Sequence, residues 1–451
     1  MDTKTQLGKL GLFDAKVPRY TSYPTAPHFD RTVGSDHFSN WINEIPEGAE
    51  ISLYVHVPFC RRLCWFCACR TQGTLSDAPV AAYLETLKTE IAMLGQHLPR
   101  GVRLSRLHWG GGTPTLLSPG MMSELAGAIR DIAPFTDATE FSVEIDPNEI
   151  DGPRLDALAR AGMNRASIGV QDFDEQIQQS IGRMQGYDIT RQAVDEIRAR
   201  GVRSLNADIL YGLPHQNQTR ITESVQKLLS LNPDRVALYG YAHVPWMAKR
   251  QQMIPSDALP TPQERLALFE TARHLFLWDN YDEIGIDHFA IASDGLSVAQ
   301  KAGLLRRNFQ GYTDDTAEVL IGVGASSISR FPQGYAQNAA ATGAHTGAIR
   351  EGRFSTTRGH VFSPEDKMRA RMIEMLMCDF RIDSAEIFRD FDIPAAELQA
   401  MLSAVERRFD GHLALDAAGL TIPPEARPLT RMIARQFDAY EMNEQGHSSA
   451  I

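Results

Sequence analysis

Six short runs rich in β-forming residues alternate with amphipathic stretches between residues 51 and 241. The runs are ISLYVHV (51–57), RLSRLHW (103–109), TEFSVEI (139–145), RASIGV (165–170), SLNADIL (204–210) and RVALYGY (235–241). Between them, segments such as 81–98 and 121–133 carry apolar residues at intervals of three and four, as amphipathic helices do. Alternating strands and helices form a parallel sheet with right-handed crossovers, so we predict an α/β fold with six parallel strands.

Composition and charge exclude several classes of protein. The 451 residues, 43% of them hydrophobic and 22% charged, suffice for one large domain and a smaller one. A net charge of −11 without a long basic run argues against binding to nucleic acid or to an anionic membrane surface. The first twenty residues lack the apolar stretch of a signal peptide, and no apolar run is long enough to span a membrane. We therefore expect a cytoplasmic protein.

The residues with chemical potential follow the predicted strands. In βα architectures, the loops after the strands meet at one edge of the sheet and carry the chemistry. The residues in these positions are a cysteine loop after the first run, Gly110, Gly111 and Gly112 after the second, Glu144, Gln171, Asp208, and Ala242 with His243. The sequence therefore predicts a site at the carboxyl edge of the sheet.

Four of the five cysteines lie within ten residues, in the order Cys60, Cys64, Cys67 and Cys69, whereas Cys378 stands alone. In a reducing compartment such clustering indicates metal binding rather than disulfides. Structural zinc sites combine two separated Cys/His pairs, and a second pair is missing here. Three thiolates on one compact loop instead fit one face of a [4Fe–4S] cluster and leave one iron free for a cofactor. Cys69 could be a fourth ligand in the absence of that cofactor, or a nearby thiol with another role.

The CxxxCxxC loop after the first strand resembles the radical S-adenosylmethionine (SAM) superfamily. Within it, the chain is similar to the oxygen-independent coproporphyrinogen III oxidases over residues 18 to about 337. The shared segments are CxxxCxxCxC, PRYTSYPTA, LHWGGGTPT, SVEIDP, GVQDF, NADILYGLP, YAHVP, GIDHFA and RNFQGYT. The resemblance implies a partial (β/α)6 TIM-like barrel of the radical SAM type with an N-terminal extended arm and a small, mostly helical C-terminal domain.

The resemblance also implies a reaction. The family oxidatively decarboxylates the ring A and B propionates of coproporphyrinogen III to vinyl groups, giving protoporphyrinogen IX in anaerobic haem biosynthesis. Its cofactors are a [4Fe–4S] cluster and two SAM molecules, and the cofactors carry the difficult chemistry. A flavodoxin- or ferredoxin-like electron donor and a monomeric state are implied as well.

The family's site residues map onto matching positions of this chain. Cys60, Cys64 and Cys67 would bind the cluster, and Tyr54, Cys69 and Glu144 would be catalytic. Glu144 would accept hydrogen bonds from ribose hydroxyls, and Phe66 would stack on adenine. The positions implied to contact the two SAM molecules are Tyr54, Phe66, Gly111, Gly112, Thr113, Glu144, Gln171, Arg183, Asp208, Ala242 and Ile328.

Several assignments stay open at the level of sequence. His56 and His288 could serve the cluster or the substrate, or be structural histidines with satisfied hydrogen bonds. Arg19, Arg306 and Arg307 are candidates for holding propionates. A haem-chaperone relative without decarboxylase activity is the alternative function, although that branch usually lacks both the fourth cysteine and the PRYTSYPTA arm. A zinc-stabilised binding module is the alternative class.

Three regions are predicted along the chain. Residues 1–45 form the arm, which the Pro- and Tyr-rich stretch 17–30 favours as extended. Residues 46–345 form the radical SAM domain, and the Ala/Gly-rich stretch 339–354 is interpreted as a linker. Residues 360–445 form the helical domain, whose first helix begins after Ser363, with Pro364 at its first position. The polar tail 443–451 is expected to fray.

Overall fold

A twelve-stranded sheet with a parallel centre organises the computed structural model, which describes residues 3–441 and 449–451 and the side chains from residue 6 onward. The strands are β1 (Glu50–Val57), β2 (Phe59–Cys60), β3 (Gln72–Gly73), β4 (Arg103–Gly111), β5 (Phe135–Ile145), β6 (Arg165–Gln171), β7 (Ser204–Tyr211), β8 (Arg235–Gly240), β9 (Tyr281–Ile284), β10 (His288–Ile291), β11 (Arg306–Asn308), β12 (Gly311–Thr313), β13 (Leu320–Val323), β14 (Ile328–Phe331), β15 (Gly334–Asn338), β16 (Thr356–Val361), β17 (Arg381–Asp383), β18 (Ala414–Asp416) and β19 (Gly419–Thr421). The helices are α1 (Thr3–Lys9), α2 (Ser35–Asn43), α3 (Ala78–His97), α4 (Pro119–Ile132), α5 (Gly152–Arg160), α6 (Glu175–Ser180), α7 (Tyr187–Ala199), α8 (Gln218–Leu229), α9 (Pro262–Trp278), α10 (Gly295–Lys301), α11 (Thr342–Arg350), α12 (Pro364–Asp379), α13 (Ser384–Asp390), α14 (Ala395–Arg408) and α15 (Thr430–Ala434).

The six predicted strands are confirmed as β1, β4, β5, β6, β7 and β8, and they lie side by side in parallel in that order. The two predicted helices are α3 and α4. A seventh parallel strand, β13, pairs with the other side of β1. Antiparallel strands extend the sheet beyond β13 and beyond β8, and the strand order ends at β16 and β9 without closure. The molecule thus contains the partial (β/α)6 barrel.

The two faces of the central strands differ in polarity, with the period of two that a strand imposes. One face carries apolar side chains such as Leu107, Trp109, Phe141 and Val143, which are fully buried in a core shared with α3 and α4. The other face carries polar side chains and lines a cavity of about 240 Å³ inside the barrel. We call this space the barrel cavity.

A second hydrophobic core joins the two ends of the chain. It combines Leu7, Leu12 and Tyr20 with buried residues of α12 such as Met372 and Leu376. The three regions given above remain predictions, but the arm and the C-terminal helices share this core. None of the helices in the described part of the chain has the length and apolar composition of a membrane span.

Four local expectations differ from the structure. The arm is not extended throughout, because 1–45 contains α1 and α2, although 17–30 has only one short 3-10 turn at 26–28. The expected linker contains α11, whose buried His345 and Ile349 hold it in place. The C-terminal region, although mostly helical, includes a three-stranded sheet of β17, β19 and β18. In the tail, Ser449 pairs with Lys16, and Ala450 and Ile451 are buried rather than frayed. Residues 442–448 lie outside the described part.

Candidate active site

The cysteine loop is closed at its base by a short parallel pair between β2 and β3, in which Cys60 is opposite Gly73. The main-chain N–H of Thr74 donates to the carbonyl of Cys60 at 3.0 Å. Cys60, Cys64 and Cys67 are half-buried and Cys69 is exposed. The loop therefore presents three partly shielded thiols at the carboxyl end of β1, where the sequence predicted them.

The residues after β8 hold the other side of the loop. The buried amide of Gln251 donates to the carbonyl of Phe66 at 2.8 Å and to that of Ala242 at 3.0 Å. The guanidinium of Arg250 donates to the carbonyl of Thr71 at 2.9 Å. Trp65 lies over Gly182, where an added Cβ would be 2.8 Å from the indole. These contacts fix a loop that has almost no regular structure of its own.

The sulfur atoms have distinct surroundings. Arg183 Nη1 donates to Cys64 Sγ at 3.6 Å, and the N–H of Cys69 donates to Cys67 Sγ at 3.4 Å. A hydrogen bond from the Cys69 thiol, together with the nearby charges of Arg250 and Arg183, lowers the pKa of Cys67 to about 6. Burial raises the pKa of Cys60 to about 11. Positive charge and donated hydrogen bonds favour the thiolate form that an iron–sulfur cluster requires.

Each of the three glycines at the end of β4, Gly110, Gly111 and Gly112, is required by a neighbouring protein atom. A Cβ at Gly110 would be 2.7 Å from Glu144 Oε1, one at Gly111 would be 2.6 Å from His56 Cε1, and one at Gly112 would be 2.5 Å from the Phe59 carbonyl oxygen. Gly111 also has φ of +115°, a region that side chains disfavour. Packing within the protein is thus a sufficient reason for the glycines, in addition to the approach to SAM suggested by the resemblance. Thr113, the next residue, is buried and bonds through its N–H to the same Phe59 carbonyl at 2.8 Å.

Glu144 stands at the end of β5 between two donors. Its carboxylate accepts from the Gly111 N–H at 3.0 Å and lies 3.3 Å from His108 Nε2, while 42% of the side chain stays exposed. Although burial opposes it, the hydrogen bonds from His108 and Gly111 lower the pKa of Glu144. Glu144 is therefore an ionised acceptor with free capacity for a ligand.

Tyr54 and the two predicted histidines have protein partners. The Tyr54 hydroxyl is 2.9 Å from His56 Nδ1, and His56 Nε2 is 3.2 Å from the Arg70 carbonyl. The Tyr54 ring stacks on that of His108 at 5.7 Å. His288 lies between Asp287 at 2.7 Å and the Tyr239 hydroxyl at 3.3 Å. Both ring nitrogens of His56 and of His288 are thus occupied, which favours the structural interpretation of each.

Gln171, Arg183 and Asp208 lie around Gly169 of β6, since an added Cβ there would be 2.9 Å from the Gln171 amide and 3.3 Å from the Arg183 guanidinium, and Asp208 is the register partner of Gly169 on β7. Gln171 has φ of +69°, and such strain in a residue other than glycine is concentrated at functional sites. Arg183 Nη2 donates to the Gly169 carbonyl at 2.9 Å, whereas its buried Nε has no partner in the described residues. Asp208 accepts from Asn206 at 2.8 Å, and burial raises its pKa to about 7. One unused donor and one poorly compensated carboxylate therefore face the same region.

The remaining predicted residues are more dispersed. Phe66 packs beside Trp65 on a small core that contains Ile181 and Tyr241. Ile328 begins β14, and its carbonyl lies next to Gly322, the register partner of Tyr54 on β13. Ala242, Arg19 and Arg307 line a second cavity at the carboxyl end of β8, but Arg306 does not. The cofactor roles of Phe66, Ile328 and Ala242 and the substrate-binding roles of the three arginines stay predictions.

Sequence reasoning missed the polar interior of the barrel. Arg106 pairs with Asp314 at 2.9 Å, and Arg165 pairs with Glu140 at 3.1 Å. The signal was present, because polar residues recur at every second position of the strands. These residues are Arg106 and His108; Glu140, Ser142 and Glu144; Arg165 and Ser167; Asn206 and Asp208.

The donor set fits an iron–sulfur cluster with SAM at its open iron. Within the described residues, no three His, Cys, Asp or Glu side chains converge as ligands of a single metal ion. A cubane does not need such convergence because each thiolate binds a different iron. The free acceptor capacity of Glu144, the unpartnered Nε of Arg183 and the raised pKa of Asp208 suit a ligand with hydroxyl, carboxylate and ammonium groups.

Among known protein families, the radical SAM superfamily matches residues 54–228 of this chain. The oxygen-independent coproporphyrinogen III oxidase of Paracoccus denitrificans is 68% identical over the full length of both chains. That of Escherichia coli is 37% identical over 94% of this chain and 93% of its own. The solved structure of the E. coli coproporphyrinogen III oxidase, described as a radical SAM enzyme, has a TM-score of 0.89 at 35% identity and covers 95% of this chain and 100% of its own. The chain belongs to the oxygen-independent coproporphyrinogen III oxidase family.

Proposed function

We propose that this protein converts coproporphyrinogen III to protoporphyrinogen IX by SAM-dependent oxidative decarboxylation of the ring A and B propionates, as a step of anaerobic haem biosynthesis. Membership of the family supports the reaction, with relatives of that name matching the whole chain. The observation that carries the proposal is the position of three half-buried thiols beside the polar barrel cavity at the carboxyl edge of the sheet.

The cysteine loop and the strand ends have different roles in this proposal: the loop binds the cluster and the strand ends bind SAM. Cys60, Cys64 and Cys67 would hold the cluster, which when bound would supply the one-electron chemistry that cleaves SAM and starts the oxidation of the substrate propionate. Glu144 orients the first SAM by accepting hydrogen bonds, because its carboxylate is ionised and held by Gly111 and His108. The barrel walls restrict water around the reacting groups.

Arg183 and Asp208 serve the second SAM in this proposal. A guanidinium suits the carboxylate of its amino-acid part and Asp208 suits the ammonium group, so opposite charges meet at both ends. Burial raises the pKa of Asp208 to about 7. A cation beside Asp208 would lower this pKa again, because it stabilises the ionised carboxylate. Gln171 and Ala242 would contact the same molecule.

The electron donor is proposed to be a flavodoxin- or ferredoxin-like protein in the cytoplasm, acting on a monomer. Two exposed arginines of the cysteine loop, Arg62 and Arg70, favour the docking of a negatively charged partner at this loop. They stand out because the chain as a whole has a net charge of −11. Oppositely charged surfaces would accelerate the encounter.

Anaerobic turnover tests the function. Reconstituted protein with SAM, a reductant and coproporphyrinogen III should give a product lighter by two successive losses of CO₂, each accompanied by the loss of two hydrogens that distinguishes a vinyl from an ethyl group. Cys64→Ala should abolish both turnover and cluster assembly, whereas Cys378→Ala, far from the loop in the sequence, should keep the cluster. Cleavage of SAM without any change in the porphyrinogen would refute the decarboxylase and favour the haem-chaperone alternative.

A further inference from the structure

A cavity of about 670 Å³ lies between the carboxyl end of β8 and the residues around α15. We call it the arginine cavity, because six arginines line it: Arg19, Arg265, Arg273, Arg307, Arg427 and Arg431. The acidic residues on its wall are Glu270, Glu283, Asp287 and Glu425. The size falls within the usual range of pockets for small organic ligands.

Some of this charge is neutralised within the wall. Glu283 pairs with both Arg273 and Arg427 at 2.7 Å. Asp287 is 3.9 Å from Arg307, too far for a hydrogen bond. The remaining three arginines are in a different situation.

Arg19, Arg265 and Arg431 donate to main-chain oxygens rather than to Asp or Glu side chains, and Arg265 Nε also donates to an oxygen of the last residue, Ile451, at 3.1 Å. Their contacts are Arg19 Nη2 to the Gly240 carbonyl at 2.6 Å, Arg265 Nη2 to that of Tyr241 at 2.8 Å and Arg431 Nε to that of Pro18 at 3.0 Å. Across residues 6–441 and 449–451, none of the three forms an ion pair with an Asp or Glu side chain. Burial lowers the pKa of Arg431 and of Arg265, and the charge of Arg19 lowers both further. The charge of Arg19 thus repels those of Arg265 and Arg431 in the cavity wall.

Arg307 adds donors that the wall does not use. Its side chain is only 5% exposed, and neither Nε nor Nη1 has a hydrogen-bond partner in the described structure. A buried guanidinium with unsatisfied N–H groups is costly. A ligand carboxylate would satisfy these groups.

The arginine cavity adjoins the barrel cavity. Tyr239 lines both of them, and its hydroxyl is 3.3 Å from His288, which lines the barrel cavity. A ligand seated among the arginines can therefore extend a side arm past Tyr239 into the barrel cavity.

We infer that the arginine cavity binds the carboxylates of the tetrapyrrole substrate that are not reacting. Arg19, Arg265 and Arg431 pair with these propionates, and Arg307 holds the group nearest the barrel. The assignment rests on the proposed function, since it takes coproporphyrinogen III as the ligand. It explains how a chain of net charge −11 attracts a tetracarboxylate.

Binding of coproporphyrin III to the anaerobic holoenzyme tests the inference without turnover, because this oxidised form keeps all four carboxylates. Fluorescence titration of Arg19→Gln, Arg307→Gln and Arg431→Gln should each show affinity at least about tenfold weaker than wild type, the effect of losing one charge-assisted contact. Arg431→Lys should keep most of the affinity. Arg389→Gln, at an exposed arginine on α13, is the matched control and should bind as wild type does.

The outcomes separate this inference from the function itself. Affinities of all three glutamine variants within twofold of wild type would overturn the inference, even if the wild type decarboxylates its substrate. Failure of the wild type to convert coproporphyrinogen III would count against the function alone, because the binding assay needs no turnover. Arg19→Gln is the variant least expected to disturb folding, since Arg19 is exposed and its one described hydrogen bond is to the Gly240 carbonyl. Circular dichroism of that variant should match wild type.

Discussion

At the scale of single residues, the glycine loop and the cysteine loop are in direct main-chain contact. The N–H groups of Gly112 and Thr113 donate to the carbonyls of Val57 and Phe59, each at 2.8 Å. A Cβ at Gly112 would lie 3.0 Å from Cys60 Sγ as well as 2.5 Å from the Phe59 oxygen. Backbone cannot move aside as a flexible side chain can, so a larger residue at this position must displace Phe59 and Cys60.

Gly112→Ala should displace Phe59 and Cys60 and so reduce cluster assembly. We expect iron and sulfide per chain to fall at least about twofold after anaerobic reconstitution, with a fold stability lower by about 1–3 kcal/mol, as for other overpacked sites. The matched control is Gly127→Ala in α4, where nothing lies within 4 Å of the added methyl. That control should keep its iron and gain helix stability. Full iron content in Gly112→Ala would contradict the contact argument.

Asp208 allows a prediction of pH dependence. Burial raises its pKa from 3.8 to about 7 in the folded chain. A raised carboxyl pKa contributes stability that is complete below the unfolded pKa and is lost as the pH rises through about 7. Asp208→Asn should therefore be about 1–3 kcal/mol more stable than wild-type apoprotein at pH 8, and about equal to it near pH 4. Urea unfolding at the two pH values measures this difference.

Asp208→Asn should also weaken binding of the second SAM molecule, because the uncharged amide cannot form an ion pair with the ammonium group of SAM. Equilibrium dialysis should then show SAM binding falling from two molecules toward one per chain. Asp195→Asn, at an exposed position of α7, should change neither property. An Asp208→Asn protein that binds two SAM molecules with wild-type affinity would remove Asp208 from the proposed site.

Some residues of the proposed sites could be identified from the sequence, and others could not. The cysteines and Glu144 could be found because spacing and strand-end position mark them. Arg431 could not, because its carbonyl partners Val17 and Pro18 are 414 and 413 positions away in the chain. Long-range contacts of this kind leave no local pattern.

At the scale of elements, the parallel strands were predictable because each one is followed by a helix and carries a long apolar face. Strands such as β13 and β14 have only four residues and no helical crossover between them, so neither periodicity nor connection length revealed them. The three-residue strands of the C-terminal sheet escaped for the same reason. Helix α11 was missed because its Ala- and Gly-rich sequence shows little amphipathic pattern.

The segment after β8 is the element that supports the cysteine loop. Gln251 is 1% exposed and joins three main-chain groups: the carbonyls of Phe66 and Ala242, and the N–H of Val244 at 2.6 Å. An apolar residue there would leave these buried groups unsatisfied.

Gln251→Ala should therefore loosen the loop at a cost of about 1–3 kcal/mol. We expect faster amide hydrogen exchange in residues 64–71 and quicker loss of the cluster in air, with the central strands unaffected. Gln252→Ala, at the exposed neighbouring position, is the control. Equal exchange in the two variants would show that the loop holds its shape without the clamp.

At the scale of the whole molecule, the arm and the C-terminal region form one wall of the arginine cavity. The Tyr20 hydroxyl donates to Asp438 at 2.9 Å, and the Ala439 N–H donates to the Tyr23 hydroxyl at 3.0 Å. Arg431 adds hydrogen bonds to the carbonyls of Val17 and Pro18. The arm therefore places Arg19 at the cavity while remaining distant in sequence from every other part of that wall.

Tyr20→Ala should separate substrate binding from SAM binding. Tyr20 is 4% exposed in the core shared by both ends of the chain, and loss of a buried aromatic side chain costs about 3–5 kcal/mol. The arm would then detach locally, which removes Arg19 from the cavity. We expect faster proteolysis within residues 10–30, coproporphyrin III affinity at least about tenfold weaker and SAM affinity unchanged, since the cysteine and glycine loops do not contact Tyr20. Tyr20→Phe keeps the packing and should show a smaller effect, and Phe388→Ala, at an aromatic residue of α13 that is 44% exposed, should show none. If Tyr20→Ala weakened the binding of SAM and of coproporphyrin III equally, the arm would be a general support of the fold. An arm that acts only as a wall of the arginine cavity should affect the binding of coproporphyrin III alone.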